Sequence, residues 1–340
     1  MYLWFQRGAA WASKKGWKNA QALQREEVNQ IAIIRHGAIG DQVLTRVFIN
    51  EAKRFFPNAK ITLSLIDTRS YGAPVDMVDS IHVVEKVRNG KKTSIFERFN
   101  QIKELGNQDI IFDLANTNVS KWVCILNKAS LKIGFPYRSL ENFFYHVTVK
   151  RSDLVLETET MLHQLCILGA KTQRPFDYGF PNYEVNNANP YIIYFTSASN
   201  DGKTWPKNNF IDLGWKMATA FPHYRHIFLD GLDQHEKVDD IIEQLSNLNN
   251  IEKQEVLPYE KAMEYLGKAT MVICNDTGVR NMAITVNTPT VGIFFNTVPY
   301  RYWPRDGLHE IAFGENHTVP TPEDVFEIAS VHLKTIRGIV

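Results

Sequence analysis

The chain has 340 residues, more than one hydrophobic core usually serves, so two domains are the first expectation. Its 44% hydrophobic, 22% charged and 12% aromatic residues suit a folded protein and argue against disorder. The 38 Lys and Arg nearly balance the 37 Asp and Glu, and a net charge of +1 argues against a protein built mainly to hold nucleic acid.

The first 29 residues read as a basic extension. Before Glu26 it holds Arg7, Lys14, Lys15, Lys18 and Arg25, three tryptophans and no acid. On a helix, Arg7, Lys14, Lys18 and Arg25 share one stripe flanked by Trp4 and Trp11. Peripheral contact with the anionic inner face of an inner membrane is one expectation for such a segment, and a solvated or domain-packed extension is the other.

From Gln30 onward strand, turn and helix alternate, the signal for parallel sheets covered by helices. Residues 31–35 (IAIIR) form a strand, 36–41 (HGAIGD) a glycine-bearing turn and 42–56 a helix. Further strands are predicted at 61–66, 81–85, 109–114 and 131–135, with helical stretches at 93–105, 118–128 and 157–168. Segment 171–190 has three prolines, four asparagines and little periodicity, which places a junction there between Rossmann-like domains at 30–175 and 176–320. The second half restarts with strands at 191–197, 225–230, 271–275 and 290–295 and helices at 207–221, 236–248, 259–268 and 277–286. A final helix is announced by Thr321-Pro322-Glu323-Asp324, and its stripe of Val325, Ala329, Leu333 and Ile336 predicts that 321–340 docks on the body.

Cys124, Cys166 and Cys274 lie far apart inside apolar segments, without metal-ligand spacing, and read as reduced, buried packing residues. No stretch approaches the roughly 18 apolar residues of a membrane span, and no secretory leader stands at the N-terminus, so a cytoplasmic location is expected.

The turn HGAIGD is G-x-x-G-D, not the G-x-G-x-x-G of dinucleotide enzymes, which disfavours hydride transfer. Asp41 places a carboxylate at a helix start, where it reads equally as a cap or as a catalytic group. Loop 197–206 (SASNDGKTWP) precedes a helix and offers backbone amides and Lys203 to a phosphate, or else simply covers a packed Trp205. Segment 275–281 (NDTGVRN) again joins a strand to a helix, and Gly278 leaves room for a diphosphate, although Asp276 or Thr277 could merely cap. Two anion-ready helix starts in one domain favour a nucleotide diphosphate. His235-Glu236 lacks a second histidine at zinc spacing, so metal-independent chemistry without a cofactor is expected.

With IAIIRHGAIGDQVLT at 31–45, KTWP at 203–206, HE at 235–236 and NDTGVRNMAITVNTPTVGIF at 275–294, in that order, the chain resembles glycosyltransferase family 9 over residues 30–320. The resemblance implies an α/β GT-B fold, two Rossmann-like domains whose parallel sheets face an interdomain cleft, the first binding acceptor and the second a nucleotide sugar. It also implies an inverting transferase moving heptose from ADP-heptose to a lipopolysaccharide core, the acceptor being a glycan or lipid-linked glycan. Asp41 then matches the family's proposed base, Ser199 and Lys203 its phosphate-binding positions and Glu236 a nucleoside contact, and Leu257 is expected among the donor-binding residues. Asp276, Thr277 and Gly278 match the loop on the diphosphate and sugar. Asn281 departs, because the family usually has histidine there, so that contact to the donor is neutral here. Acceptor contacts are expected from position at Gly40, Asp113, Asn116, Thr117 and Arg138. The alternatives are a sugar-nucleotide epimerase of the same architecture, which needs further acid and base groups, and a non-catalytic sugar-binding or assembly subunit. Asn281 favours the subunit; Asp41 and Lys203 together oppose it.

Overall fold

The computed structural model describes residues 10–88, 90–305, 307–314 and 318–338. The chain divides into two units, with the break between Gly179 and Phe180.

The N-terminal unit contains strands β1 (Trp11–Ala12), β2 (Gln30–Ile34), β3 (Lys60–Ile66) and β4 (Ser80–Val84), then a small hairpin of β5 (Val87–Arg88) and β6 (Lys91–Lys92). Strands β7 (Ile110–Asp113), β8 (Leu131–Gly134) and β9 (Val147–Thr148) follow. Its helices are α1 (Lys14–Gln21), α2 (Ile39–Phe55), α3 (Ile95–Glu104), α4 (Asn118–Leu126) and α5 (Glu157–Cys166). One sheet runs in the order β1-β9-β8-β7-β2-β3-β4, parallel except where β1 meets β9. Both of its faces are covered, which is why Ile31, Ala32, Ile33 and Ile34 are apolar without alternation and fully buried.

Among the described residues the extension does not run as one helix through Lys14, Lys18 and Arg25. Trp11 pairs with Thr148 at the sheet edge, and Ser13 starts α1 by accepting from the Gly16 amide, which turns the chain at Ser13. Gly16 is required there, since a Cβ would lie 2.3 Å from the His146 carbonyl oxygen. Arg25 sits in a separate 3-10 turn, Arg25–Glu27, so Lys14, Lys18 and Arg25 share no continuous stripe. Trp4 and Arg7 lie outside the described residues.

The C-terminal unit has six parallel strands: β10 (Tyr191–Phe195), β11 (Arg225–Leu229), β12 (Ile251–Gln254), β13 (Met271–Asn275), β14 (Thr290–Phe294) and β15 (His309–Phe313). They run in the order β12-β11-β10-β13-β14-β15. Helices α6 (Lys207–Ala220), α7 (Asp239–Gln244), α8 (Tyr259–Gly267), α9 (Gly278–Thr285) and α10 (Pro322–Ile336) complete it. Helix α10 begins with a reciprocal Thr321–Asp324 cap and buries Val325, Ala329 and Leu333 in the same core as Trp205, Phe210 and Phe228. The helix predicted at 236–248 is broken into a 3-10 turn, Gln234–Glu236, and the shorter α7. The reason is Asp230, whose carboxylate accepts from the Val238 amide at 3.1 Å and from Lys237 at 3.3 Å and holds the chain off the helical path.

Cys124 and Cys274 are buried, but Cys166 is exposed at the end of α5 and is not a packing residue. Among the described residues no helix is long and apolar enough to cross a membrane.

In each sheet the strand order reverses once, between β2 and β7 and between β10 and β13. Open parallel sheets bind ligands at the carboxyl ends of such strand pairs.

Candidate active site

At the β2/β7 reversal, the chain leaves β2 through Arg35, His36 and Gly37 and enters α2. Ala38, not Asp41, occupies the N-cap, and Asp41 lies in the first turn. Its carboxylate accepts from Arg35 at 2.8 Å and keeps its side chain 28% exposed, while Arg35 is buried. A Cβ on Gly37 would stand 2.5 Å from Asp41 Oδ2, so only glycine fits beside the carboxylate. Gln42 secures this turn: its buried Nε2 lies within 3.2 Å of the carbonyls of Arg35, Gly37 and Arg69. Gly40 is buried in the same helical turn.

Behind Asp41 stands a buried charge network. Arg35 also donates to Glu157 at 3.2 Å and to the Leu114 carbonyl at 2.7 Å, and Arg151 pairs with the same Glu157 carboxylate. Nothing in the local sequence signals Glu157, because it lies 122 positions from Arg35.

The β7 end holds the residues expected on the acceptor. Asp113 is fully buried: Oδ1 accepts from the Ala115 and Asn116 amides at 2.9 Å, and Oδ2 from the Tyr145 hydroxyl at 2.7 Å. Burial raises its pKa. Both of its oxygens thus hold the turn in shape. Asn116 sits in that turn with φ +48°, buried. Thr117 caps α4, and its hydroxyl meets His36 Nδ1 at 2.8 Å. His36 is buried, and its pKa is lowered to about 3 chiefly by that burial, so it is neutral. Arg138 is exposed in the loop after β8.

In the C-terminal unit the expected residues collect along the carboxyl edge of the sheet, in the loops after successive strands. Lys203 follows β10 and Asp276 follows β13, and the two form an ion pair at 2.7 Å at the strand reversal. Thr297, after β14, donates to the same Asp276 oxygen at 2.8 Å and was not foreseen. Asn275 ties the loops together, with Oδ1 accepting from the Trp205 amide at 3.1 Å and Nδ2 donating to the Thr196 carbonyl at 2.8 Å. Trp205 is fully buried, its indole N–H donating to the Pro320 carbonyl at 2.8 Å.

Thr277 is the N-cap of α9 but makes no side-chain cap bond, and Gly278 opens the helix two residues after the Asp276 of the ion pair. Asn281, in the next turn, is buried. Ser199 is exposed in the β10 loop. Glu236, half-buried after β11, accepts from the Asp233 amide at 3.1 Å, and Leu257, half-buried, follows β12. Among the described residues no group of three or more His, Cys, Asp or Glu is arranged to hold a metal ion.

No curated protein matches the chain in sequence. Solved structures do match in fold. Heptosyltransferase WaaC of E. coli with ADP is 17% identical at a TM-score of 0.71, covering 89% of this chain and 99% of its own. ADP-heptose lps heptosyltransferase II of E. coli is 16% identical at 0.69, covering 91% and 99%. A family 9 glycosyl transferase from Veillonella parvula is 16% identical at 0.73, covering 92% and 99%. The profile of glycosyltransferase family 9 (heptosyltransferase) matches residues 98–323. The chain, with its two α/β units of the GT-B fold, belongs to glycosyltransferase family 9.

Proposed function

We propose that the chain is an inverting, metal-independent transferase that moves heptose from ADP-heptose to a glycan acceptor of the lipopolysaccharide core. The observation that carries this reading is the Lys203–Asp276 pair at the β10/β13 reversal, beside the open N-terminus of α9. An incoming diphosphate competes with Asp276 for Lys203 and takes up the α9 amides, so the edge offers a fixed cation and aligned dipoles to the leaving group. ADP and an ADP-heptose analogue are bound by the fold's E. coli relative WaaC, which supports a nucleotide sugar here.

Each unit supplies one half of the chemistry. Asp41 accepts the proton of an acceptor hydroxyl, and that oxygen forms a bond to the anomeric carbon as the bond from that carbon to the diphosphate oxygen breaks. The electron pair leaves with ADP, Lys203 meets its charge, and the anomeric configuration inverts. Arg35 positions the Asp41 carboxylate by donating to its Oδ1 at 2.8 Å. Ser199, Glu236 and Leu257 line the donor's phosphate and nucleoside side, Thr277 and Gly278 its diphosphate and Asn281 its sugar. Asn116, Thr117 and Arg138 serve the acceptor.

The test is ADP release from ADP-heptose with excess EDTA present, with and without lipopolysaccharide core acceptor. Acceptor-dependent release that survives EDTA supports the reading. Release without acceptor, or a requirement for added magnesium or manganese, overturns it.

A further inference from the structure

Among the described residues Arg35, Arg46, Arg151 and Arg280 are buried, and the first three are paired with carboxylates: Arg35 with Asp41 and Glu157, Arg46 with Asp76, and Arg151 with Glu157. Arg280 is the exception. It stands in the first turn of α9 at 1% exposure, and its Nη1 donates to the Tyr302 carbonyl. Nε and Nη2, the two nitrogens that together would clasp a carboxylate, have no hydrogen-bond partner among the described residues. A guanidinium keeps its proton in a protein, so a full charge is held in the interior without an anion in contact. Such a charge is expensive to bury.

The surrounding strands are shaped to take it. A Cβ on Gly292 of β14 would stand 2.3 Å from Arg280 Nε, so glycine is needed there, and the guanidinium carbon lies 5.3 Å from the centre of the Phe294 ring. The ring face offsets part of the cost of burial and leaves the charge as it is. Burial pushes the pKa of Arg280 down, opposed by Cys274 and by the carboxylate of Asp276, so the charge is felt at the end of β13.

That carboxylate belongs to the donor edge. Asp276 is the partner of Lys203, and their opposite charges cancel, which leaves the pair alone with no net charge to offer a diphosphate. The loop after β14 is tied to the same place twice: Thr297 donates to Asp276, and further on the Tyr302 carbonyl accepts from Arg280. Charges fixed in the interior are screened much less than solvated ones, so Arg280 acts at a distance where an exposed arginine would not.

We propose that Arg280 is a positioning residue of the donor edge: it keeps the charge of Asp276 balanced, so that Lys203 is free to turn to the diphosphate of a nucleotide, and it does so without touching the ligand. With Arg280 the three groups carry a net positive charge, and without it they carry none. The inference rests on the nucleotide-sugar reading and deepens it, by adding a source of attraction for the diphosphate.

Calorimetric titration of the full chain with ADP and, separately, with adenosine tests it in the parent, Arg280→Gln and Arg280→Lys. Gln can still donate to the Tyr302 carbonyl and loses the charge, whereas Lys keeps the charge and loses the planar fork. Arg280→Gln should weaken ADP binding by about 10-fold and leave adenosine binding within about twofold, because only ADP carries the diphosphate. Arg280→Lys should hold ADP affinity within about threefold of the parent. Equal losses of ADP and adenosine affinity, or Arg280→Lys falling as far as Arg280→Gln, would mark a residue that only holds the Tyr302 loop and would overturn the proposal. Undiminished ADP affinity in Arg280→Gln overturns it too, as does a chain that folds with nothing but arginine at this position. A parent chain that binds no ADP overturns the nucleotide reading itself, and this inference with it.

Discussion

Glu157 is the residue whose replacement should cost the N-terminal unit most for the smallest change in shape. Its side chain is 1% exposed and is shared by Arg35, 2% exposed, and Arg151, 7% exposed. Glu157→Gln keeps the volume and one acceptor oxygen but removes the anion that two buried guanidiniums share. Breaking a buried pair costs about 3–5 kcal/mol, because the surviving charge stays desolvated. Asp41 still accepts from Arg35, so the lower end, about 3 kcal/mol, is expected. For a unit of this size each kcal/mol moves the melting temperature by about 2–4 °C, which gives a drop of about 6–12 °C. Scanning calorimetry of the full chain is the assay, with the N-terminal unit's transition followed separately, since two units need not unfold together. Turnover should fall as well, because Arg35 orients Asp41. A drop below about 2 °C, the scale of an exposed pair, would refute the claim that this network holds the catalytic turn.

Lys203→Ala should lower turnover by more than it weakens nucleotide affinity, since charge grows on the leaving oxygen in the transition state, and Lys203→Arg should recover part of it. Equal turnover in all three proteins removes Lys203 from the site. Acid should destabilise both units. Burial lowers the pKa of His36 to about 3, of His226 to about 4 and of His309 to about 3, from an ordinary 6.5. The unfolded chain takes up these protons first, so their contribution is intact above about pH 6.5 and is lost on descent toward about 3–4, at up to about 1.4 kcal/mol per pH unit for each histidine. Denaturant midpoints at pH 7, 6 and 5 should therefore fall, and a flat series contradicts the burial of these rings.

The sheets were legible because parallel strands covered on both faces are short apolar runs: 31–35, 191–197 and 271–275 stand out as such. The two edge strands of the C-terminal sheet were not. β12 (IEKQ) is only half-buried and reads as polar, and β15 (HEIAF) lies between glycine-containing loops without a strong run. Single positions such as Asp41, Lys203 and Asp276 stood out by lying at strand ends, but their partners are tertiary. Lys203 and Asp276 are 73 residues apart, and the loops that bring them together are tied by Asn275, whose side chain gives no sequence signal. The partners of Asp113 are hidden in the same way: a carboxylate at a strand end shows in the sequence, and only the fold shows its oxygens accepting from the turn amides and from Tyr145.

The most direct measurement of the central claim is turnover and donor affinity of Asp41→Asn side by side with the parent enzyme, on ADP-heptose and a lipopolysaccharide core acceptor. The substitution keeps the shape and removes the proton acceptor, so kcat should fall by about 100-fold or more while donor affinity stays within about twofold. Near-parental turnover would contradict the account and leave Asp41 as nothing more than the partner of Arg35 in the first turn of α2.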